Sequence, residues 1–171
     1  TGSKPRSLPD LEIDGKYILT SDEALNLKSL PESIIIVGGG VIGIEWASLL
    51  NDLGVKVDIV EFAERILPSE DIEISQEMTR LLKKRKINIY TKAKLMTDTL
   101  SKQGESVTIQ AEKDGKLISL KAEKILVSVG REANVKNIGI ENTDIIVKDG
   151  VIQVNDHLQT NESHIYAIGD V

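Results

Sequence analysis

Residues 38–61 read Gly-Gly-Gly-Val-Ile-Gly-Ile-Glu-Trp-Ala-Ser-Leu-Leu-Asn-Asp-Leu-Gly-Val-Lys-Val-Asp-Ile-Val-Glu, and this stretch decides the fold. The run before it, Ile34-Ile35-Ile36-Val37, is short, continuous and β-branched, the pattern of a strand covered on both faces. Gly38, Gly40 and Gly43 follow in G-x-G-x-x-G spacing, then an apolar-striped helix, a second strand, and Glu61 at its end. Together these predict the first β-α-β unit of a dinucleotide-binding fold. Each glycine has a task in that reading. Gly38 permits the tight turn out of the strand, Gly40 lets backbone approach a pyrophosphate, and Gly43 allows close helix–strand packing. The helix N-terminus adds unpaired N–H groups and the positive end of a dipole.

Working outward, Ile42, Trp46, Leu49, Leu50 and Leu53 recur at helical spacing and predict the buried face of that helix, with Gly54 as its C′ residue. This puts Trp46 in the core rather than on a stacking surface. Val55–Val60 is the second strand. Pro68-Ser69-Glu70-Asp71 opens a second helix with a stripe of Ile74, Met78, Leu81 and Leu82, and Ile87–Tyr90 is a third parallel strand. The basic run Lys83-Lys84-Arg85-Lys86 fits a helix C-terminus, where cations complement the dipole; no aromatic residues are interleaved for base stacking. Lys94–Leu100, Glu105–Glu112 and Lys116–Lys121 alternate as antiparallel strands, the last two joined by Asp114-Gly115. Ile125–Val129 returns to a continuous apolar run. The fold class is therefore α/β, a Rossmann-like parallel sheet with an inserted antiparallel three-stranded meander. Before it, Thr1–Leu30 reads as a loose lead-in, with a short strand at Lys16–Leu19 and a helix from Ser21 as N-cap to Leu27. After it come a turn or short helix at Asn134–Ile140, a hairpin Ile145–Val154 around Asp149-Gly150, and a last strand Ile165–Ile168.

The composition, 40% apolar and 28% charged, is that of an ordinary globular domain. The net charge of −6 argues against a nucleic-acid surface, and no apolar run approaches a membrane span. There is no cysteine, hence no thiol nucleophile, disulfide or thiolate metal site. His157 and His164 have no second ligand near them in sequence, and no metal is expected. Glu61 chooses between dinucleotides: a carboxylate there accepts both ribose hydroxyls and repels a 2′-phosphate, which favours NAD over NADP. Arg65, four residues on, is the dissenting feature, because an arginine near the strand end can accommodate a phosphate.

Four separated segments resemble the flavin-dependent disulfide reductases of the pyridine nucleotide–disulfide oxidoreductase family, and within it the bacterial dihydrolipoamide dehydrogenases. They are Thr1-Gly2-Ser3-Lys4-Pro5, Val37 to Glu45, Val127-Ser128-Val129-Gly130-Arg131, and Ile165-Tyr166-Ala167-Ile168-Gly169-Asp170-Val171. The resemblance covers essentially the whole chain and implies the three-layer FAD/NAD(P)-binding fold. It implies that Gly38, Gly39, Gly40, Val41, Ile42 and Gly43 hold the NAD pyrophosphate and border the nicotinamide pocket, and that Glu61 holds the adenosine ribose. Leu95 would line the adenine side and Gly130 the nicotinamide half. Glu45 would sit near the nicotinamide and flavin, and Asp170 and the Thr1-Gly2 segment would contact FAD. Ala133 and Trp46-Ala47 depart from the family's commoner residues at positions away from the chemistry.

The resemblance further implies a parent enzyme that oxidises protein-bound dihydrolipoamide through a disulfide and FAD and passes hydride to NAD. That parent would be a cytoplasmic homodimer serving the lipoyl-bearing acyltransferase of a 2-oxo acid dehydrogenase complex. Its redox disulfide and His–Glu pair belong to segments this sequence does not contain, so no catalytic residue is expected here and the piece alone should bind NAD(H) without turnover. The expected division is a flavin-domain stub at 1–30, an NAD-binding domain at 31–131 and a second flavin-domain stub at 132–171. The alternatives are another disulfide reductase or NADH oxidase, or a stand-alone NAD(H)-sensing module.

Overall fold

The computed structural model describes residues 2–171; of the Thr1-Gly2 segment, Thr1 lies outside the described residues. The chain divides into two compact units, residues 6–130, and the residues up to Pro5 together with Arg131–Val171. In chain order the elements are β1 (Ser3–Pro5), β2 (Ile18–Leu19), α1 (Ser21–Ala24), β3 (Ser33–Val37), α2 (Val41–Asp52), β4 (Lys56–Val60), α3 (Ile72–Lys84), β5 (Asn88–Tyr90), β6 (Ala93–Gln103), β7 (Ser106–Lys113), β8 (Lys116–Ala122), β9 (Lys124–Val127), β10 (Arg131–Ala133), a 3-10 turn at Ile140–Asn142, β11 (Val147–Lys148) and β12 (Val151–Ile152).

In the larger unit β2, β9, β3, β4 and β5 form, in that order, a five-stranded parallel sheet. Its side chains part by strict alternation. Ile34 and Ile36, with Val57, Ile59 and Leu126, pack with Ala47 and Leu50 of α2 and Leu82 of α3. Ile35 and Val37, with Val60, Ile125 and Val127, pack with Val107, Ile109 and Ala111 of β7 and Leu120 and Ala122 of β8. The second face of the sheet is thus covered by the antiparallel meander β6-β7-β8. The layers are helices, parallel sheet and meander, and covering both faces is why β3 had to be apolar at every position. Each of these fully buried isoleucines contributes roughly 1.5–3 kcal/mol relative to exposure. Asp114 and Gly115 both have positive φ at the β7–β8 turn, as a type I′ hairpin requires.

Several sequence expectations are corrected here. On α2 the buried residues are Gly43, Ile44, Ala47 and Leu50, whereas Leu49 and Leu53 are about half exposed and Trp46 is only partly buried against the core. The helix lies close to the sheet, and close approach selects small side chains for the contact line. On α3, Ser75 and Leu82 are buried while Ile74 and Leu81 are exposed; Ser75 is drawn in because its Oγ donates to the Ile66 carbonyl at 2.7 Å. The first helix is capped by Thr20 rather than Ser21, in a capping box with Glu23, and ends at Ala24.

Residues 6–30, expected as a loose lead-in, belong to the larger unit. Leu11, Ile18, Leu19 and Ala24 are buried, and β2 is the edge strand beside β9. Asp14 ties this segment down, its Oδ1 accepting from the amides of Lys16, Tyr17 and Ile18 and its Oδ2 from Lys102 Nζ at 2.7 Å. The meander contributes the Gly104 carbonyl, which accepts from Tyr17 Oη at 2.8 Å.

In the smaller unit β1 pairs with β10, Ser3 opposite Ala133, and β11 pairs with β12 around Asp149-Gly150. The short helical element lies at Ile140–Asn142, later than the expected Asn134–Ile140. Ile165–Ile168 forms no strand; Tyr166 makes an isolated bridge to Gln159, and Ile168 is 71% exposed. An apolar run alone does not make a strand where no neighbouring strand lies alongside it. No helix among the described residues is long and apolar enough to cross a membrane.

Candidate functional site

The switch point of the parallel sheet lies between β3 and β9, because the chain proceeds from β3 to β4 and β5 on one side and returns to β9 on the other. Ligands of open α/β sheets bind outside the carboxyl ends of the strands at such a point. A cleft of about 910 Å³ opens there, bordered by Gly38, Gly40, Val41 and Ile42 after β3, by Glu61 after β4, by Leu95 of β6 and by Gly130 after β9. Pro68, Lys94, Thr97, Phe62 and Val129 complete its walls, along with Leu8, Pro9 and Asp10 from the lead-in.

The glycine loop is built by contacts that leave no room for side chains. Gly38 has φ +106°, and a Cβ there would lie 2.4 Å from the Ser128 carbonyl oxygen. A Cβ on Gly43 would lie 2.0 Å from the Gly38 carbonyl oxygen. One on Gly39 would meet Ile66 Cγ2 at 2.9 Å and the Glu61 side chain at 3.2 Å. Gly40 is the exception. A Cβ there would meet nothing within 4 Å, so its missing side chain leaves open space toward the cleft. Gly40 is the N-cap of α2 with no side-chain cap, and the first intrahelical bond runs from Ile44 N–H to the Gly40 carbonyl. The N–H groups ahead of Ile44 have no intrahelical partner.

Glu61 is fixed from both sides. Its Oε2 accepts from the Gly39 amide at 2.5 Å and its Oε1 from the Ala63 amide at 2.6 Å. Each carboxylate oxygen can accept more than one hydrogen bond, so the group keeps capacity for hydroxyl donors. Arg65, the dissenting residue, is engaged elsewhere: Nη1 donates to the carbonyls of Leu67 at 3.0 Å and Glu70 at 2.9 Å, and Nη2 to that of Pro68 at 2.8 Å. In the basic run, Arg85 closes α3 onto α2, donating to Ser48 Oγ, the Ser48 carbonyl and Asp52.

Of the residues singled out in the sequence, Gly38, Gly40, Val41, Ile42, Glu61, Leu95 and Gly130 meet at the cleft, while Gly39 and Gly43 are buried behind it. Glu45 is exposed on α2, past its first turn, and does not border the cleft. Asp170 lies in the smaller unit, where its Oδ2 accepts from Ser3 Oγ at 2.8 Å, and Arg131 Nε donates to the same hydroxyl at 2.6 Å. Ser128 was not assigned a role from sequence. It is buried, and its Oγ donates to the carbonyls of Val37 and Gly38, pinning the glycine turn to β9. A small hydroxyl residue at the end of a buried apolar strand was its visible signal.

A parallel sheet with a glycine-lined cleft at its switch point is the architecture of the Rossmann-like dinucleotide-binding folds. The chain belongs to the pyridine nucleotide-disulphide oxidoreductase family, which it matches over residues 1–171. It is 63% identical to the dihydrolipoyl dehydrogenase of Bacillus subtilis and 41% identical to that of Mycobacterium leprae, in each case over all of this chain and 36% of the relative. Among solved structures it resembles the HOCl-induced flavoprotein disulfide reductase RclA of Escherichia coli, with 30% identity and a TM-score of 0.86 over 99% of this chain and 38% of that one. LpdA of Mycobacterium tuberculosis gives 29% identity and a TM-score of 0.87 over 99% and 36%. The chain thus spans a little over a third of the relatives it matches.

Proposed function

We propose that this chain is the NAD-binding part of a dihydrolipoamide dehydrogenase. The reading rests chiefly on one observation, the paired fixation of Glu61 beside the open Gly40 position in the switch-point cleft. The residues fit the dinucleotide. Gly40 and the first N–H groups of α2 would face the pyrophosphate, where the helix dipole favours negative charge. Glu61 would take the adenosine ribose hydroxyls, and its charge disfavours a 2′-phosphate. Leu95 would border the adenine, and Val41 and Gly130 the nicotinamide half. Arg65 is turned to backbone carbonyls, which weighs against its holding a 2′-phosphate.

Bound NAD supplies the hydride acceptor. The chain's own residues bind it and orient it. Residues 6–130 form the NAD-binding body, and the segments up to Pro5 and from Arg131 onward would be parts of a flavin domain. For that side, Asp170 with its Ser3 contact is the residue we assign to FAD. Glu45 would face the flavin domain. In the parent, dihydrolipoamide oxidation would proceed through a disulfide and FAD outside this chain, in a cytoplasmic homodimer attached to a lipoyl-bearing acyltransferase complex. The identity of 63% to a dihydrolipoyl dehydrogenase favours this over an NADH oxidase or a stand-alone sensor. The test is the full-length protein assayed with dihydrolipoamide and each nucleotide. NAD reduction with little NADP reduction is expected. NADP reduction at equal rate, or no turnover of dihydrolipoamide beside rapid NADH oxidation by oxygen, would overturn it.

A further inference from the structure

The segment from Ala63 to Glu70 has no regular secondary structure, yet it is tightly bound to the back of the glycine loop. Ile66 is fully buried, and its Cγ2 would lie 2.9 Å from a Cβ on Gly39, nearer than any other atom. The Leu67 amide donates to the Gly39 carbonyl at 2.7 Å, so Gly39 is held at its N–H by Glu61 and at its carbonyl by Leu67. Leu67 makes this bond from the left-handed region, at φ +48°, an unfavourable conformation for a residue with a branched side chain. Such a conformation persists only where the surroundings over-determine it. They do so here. The Arg65 guanidinium clasps the carbonyls of Leu67, Pro68 and Glu70, drawing the segment into a closed loop, and buried Ser75 anchors the Ile66 carbonyl from α3.

We infer that Arg65 is a positioning residue for the dinucleotide site: it holds the 65–70 strap, and the strap holds the Gly39 peptide that sets the loop and the Glu61 rotamer. It touches no nucleotide, and it bears on the choice between NAD and NADP only through Glu61. This rests on the NAD-binding reading above, but the strap itself can be tested separately from it. A planar fork serving three carbonyls is a task lysine cannot reproduce, since its ammonium is a single point.

In the full-length protein, Arg65→Ala and Arg65→Lys are compared with the unaltered chain by amide hydrogen exchange and by titration with NADH and with NADPH. Arg65→Ala is expected to speed exchange at Leu67 and Gly39 by about tenfold or more, through local opening of the strap. It should weaken NADH by about tenfold and NADPH by no more than that. Arg65→Lys should fall between, and saturating NADH should restore much of the lost protection at Gly39. A role confined to general stability would lower the melting temperature and leave NADH affinity alone. Unchanged exchange at Leu67 and Gly39 would overturn the inference, as would selective loss of NADPH affinity, which would make Arg65 a phosphate ligand. If the unaltered protein bound neither nucleotide, the NAD-binding reading would fail, while faster exchange in Arg65→Ala would still establish the strap.

Discussion

The Gly39 amide donates to Glu61 Oε2 at 2.5 Å, joining the turn after β3 to the end of β4 behind the cleft. With Ala63 on the other oxygen, this bond gives the carboxylate one orientation before any ligand arrives. Preorganisation of this kind lowers the ordering cost of binding. Glu61 is therefore a structural latch for the loop it sits beside and, in the proposed reading, a ligand group as well.

Replacing it should show both roles. Glu61→Ala is expected to weaken NADH by roughly 10–100-fold and NADPH by clearly less, since the variant also removes the charge that repels a 2′-phosphate. Glu61→Gln should not restore binding, because its amide nitrogen would face the N–H of Gly39 or Ala63. Paired calorimetric titrations check this; equal weakening of the two nucleotides would defeat the assignment of Glu61 as discriminator.

Two glycines of the same motif should respond in opposite ways to alanine. At Gly43 the new Cβ would lie 2.0 Å from a backbone oxygen, which nothing flexible can relieve, so Gly43→Ala should cost at least about 3 kcal/mol or prevent folding. At Gly40 the space is open, so Gly40→Ala should change stability by no more than about 1 kcal/mol. It should nevertheless weaken NADH by an order of magnitude or more, because that space is where the pyrophosphate would come closest. Denaturant unfolding and nucleotide titration of both variants separate the two roles. Full NADH affinity in Gly40→Ala would place the pyrophosphate elsewhere.

Asp14 should contribute to the acid limb of stability. Burial alone raises its carboxyl, but the Ile18 amide, the Lys102 ammonium and the amides of Lys16 and Tyr17 outweigh that and hold it well below the usual carboxylate range. A folded-state value lowered in this way gives stability that is complete above the unfolded carboxylate value, about 3.9, and lost as the pH falls below it. Asp14→Asn should therefore lose roughly 1–3 kcal/mol near neutral pH, with most of that difference still present at pH 3 and fading only as the pH falls further toward the depressed folded-state value. Urea midpoints measured from pH 7 down to about pH 2 read this directly; parallel curves for the two proteins over that whole range would refute it.

In the basic run, only Arg85 should be costly to remove. Its guanidinium joins α3 to Ser48 and Asp52 of α2, while Lys83, Lys84 and Lys86 are exposed. Arg85→Ala should cost about 1–2 kcal/mol and Lys84→Ala within about 0.5 kcal/mol, measured by thermal unfolding.

The parallel core was legible because β3, β4 and β9 are covered on both faces, and that leaves continuous apolar runs in the sequence. The glycine loop was legible because close backbone approach admits only glycine. What misled was the assumption that the largest apolar residues mark the buried face. On α2 the sheet contact falls on Gly43 and Ala47, and Leu49 and Leu53 are displaced to the flank. Ser75 and Ser128 are buried through single hydroxyl bonds to backbone carbonyls, which hydropathy does not register. The strap from Arg65 to Glu70 was hidden for a related reason. Its order comes from one side chain serving three carbonyls, and from sequence alone an arginine four residues past Glu61 stands out only as a dissenting phosphate candidate.

The central claim is that the switch-point cleft takes NAD and not its 2′-phosphorylated form. The most direct measurement is a calorimetric titration of the full-length protein with NADH and, separately, NADPH at moderate salt. The account predicts saturable one-site binding of NADH, with NADPH weaker by at least about tenfold, equivalent to ~1.4 kcal/mol. Equal affinities, or tighter binding of NADPH, would contradict it.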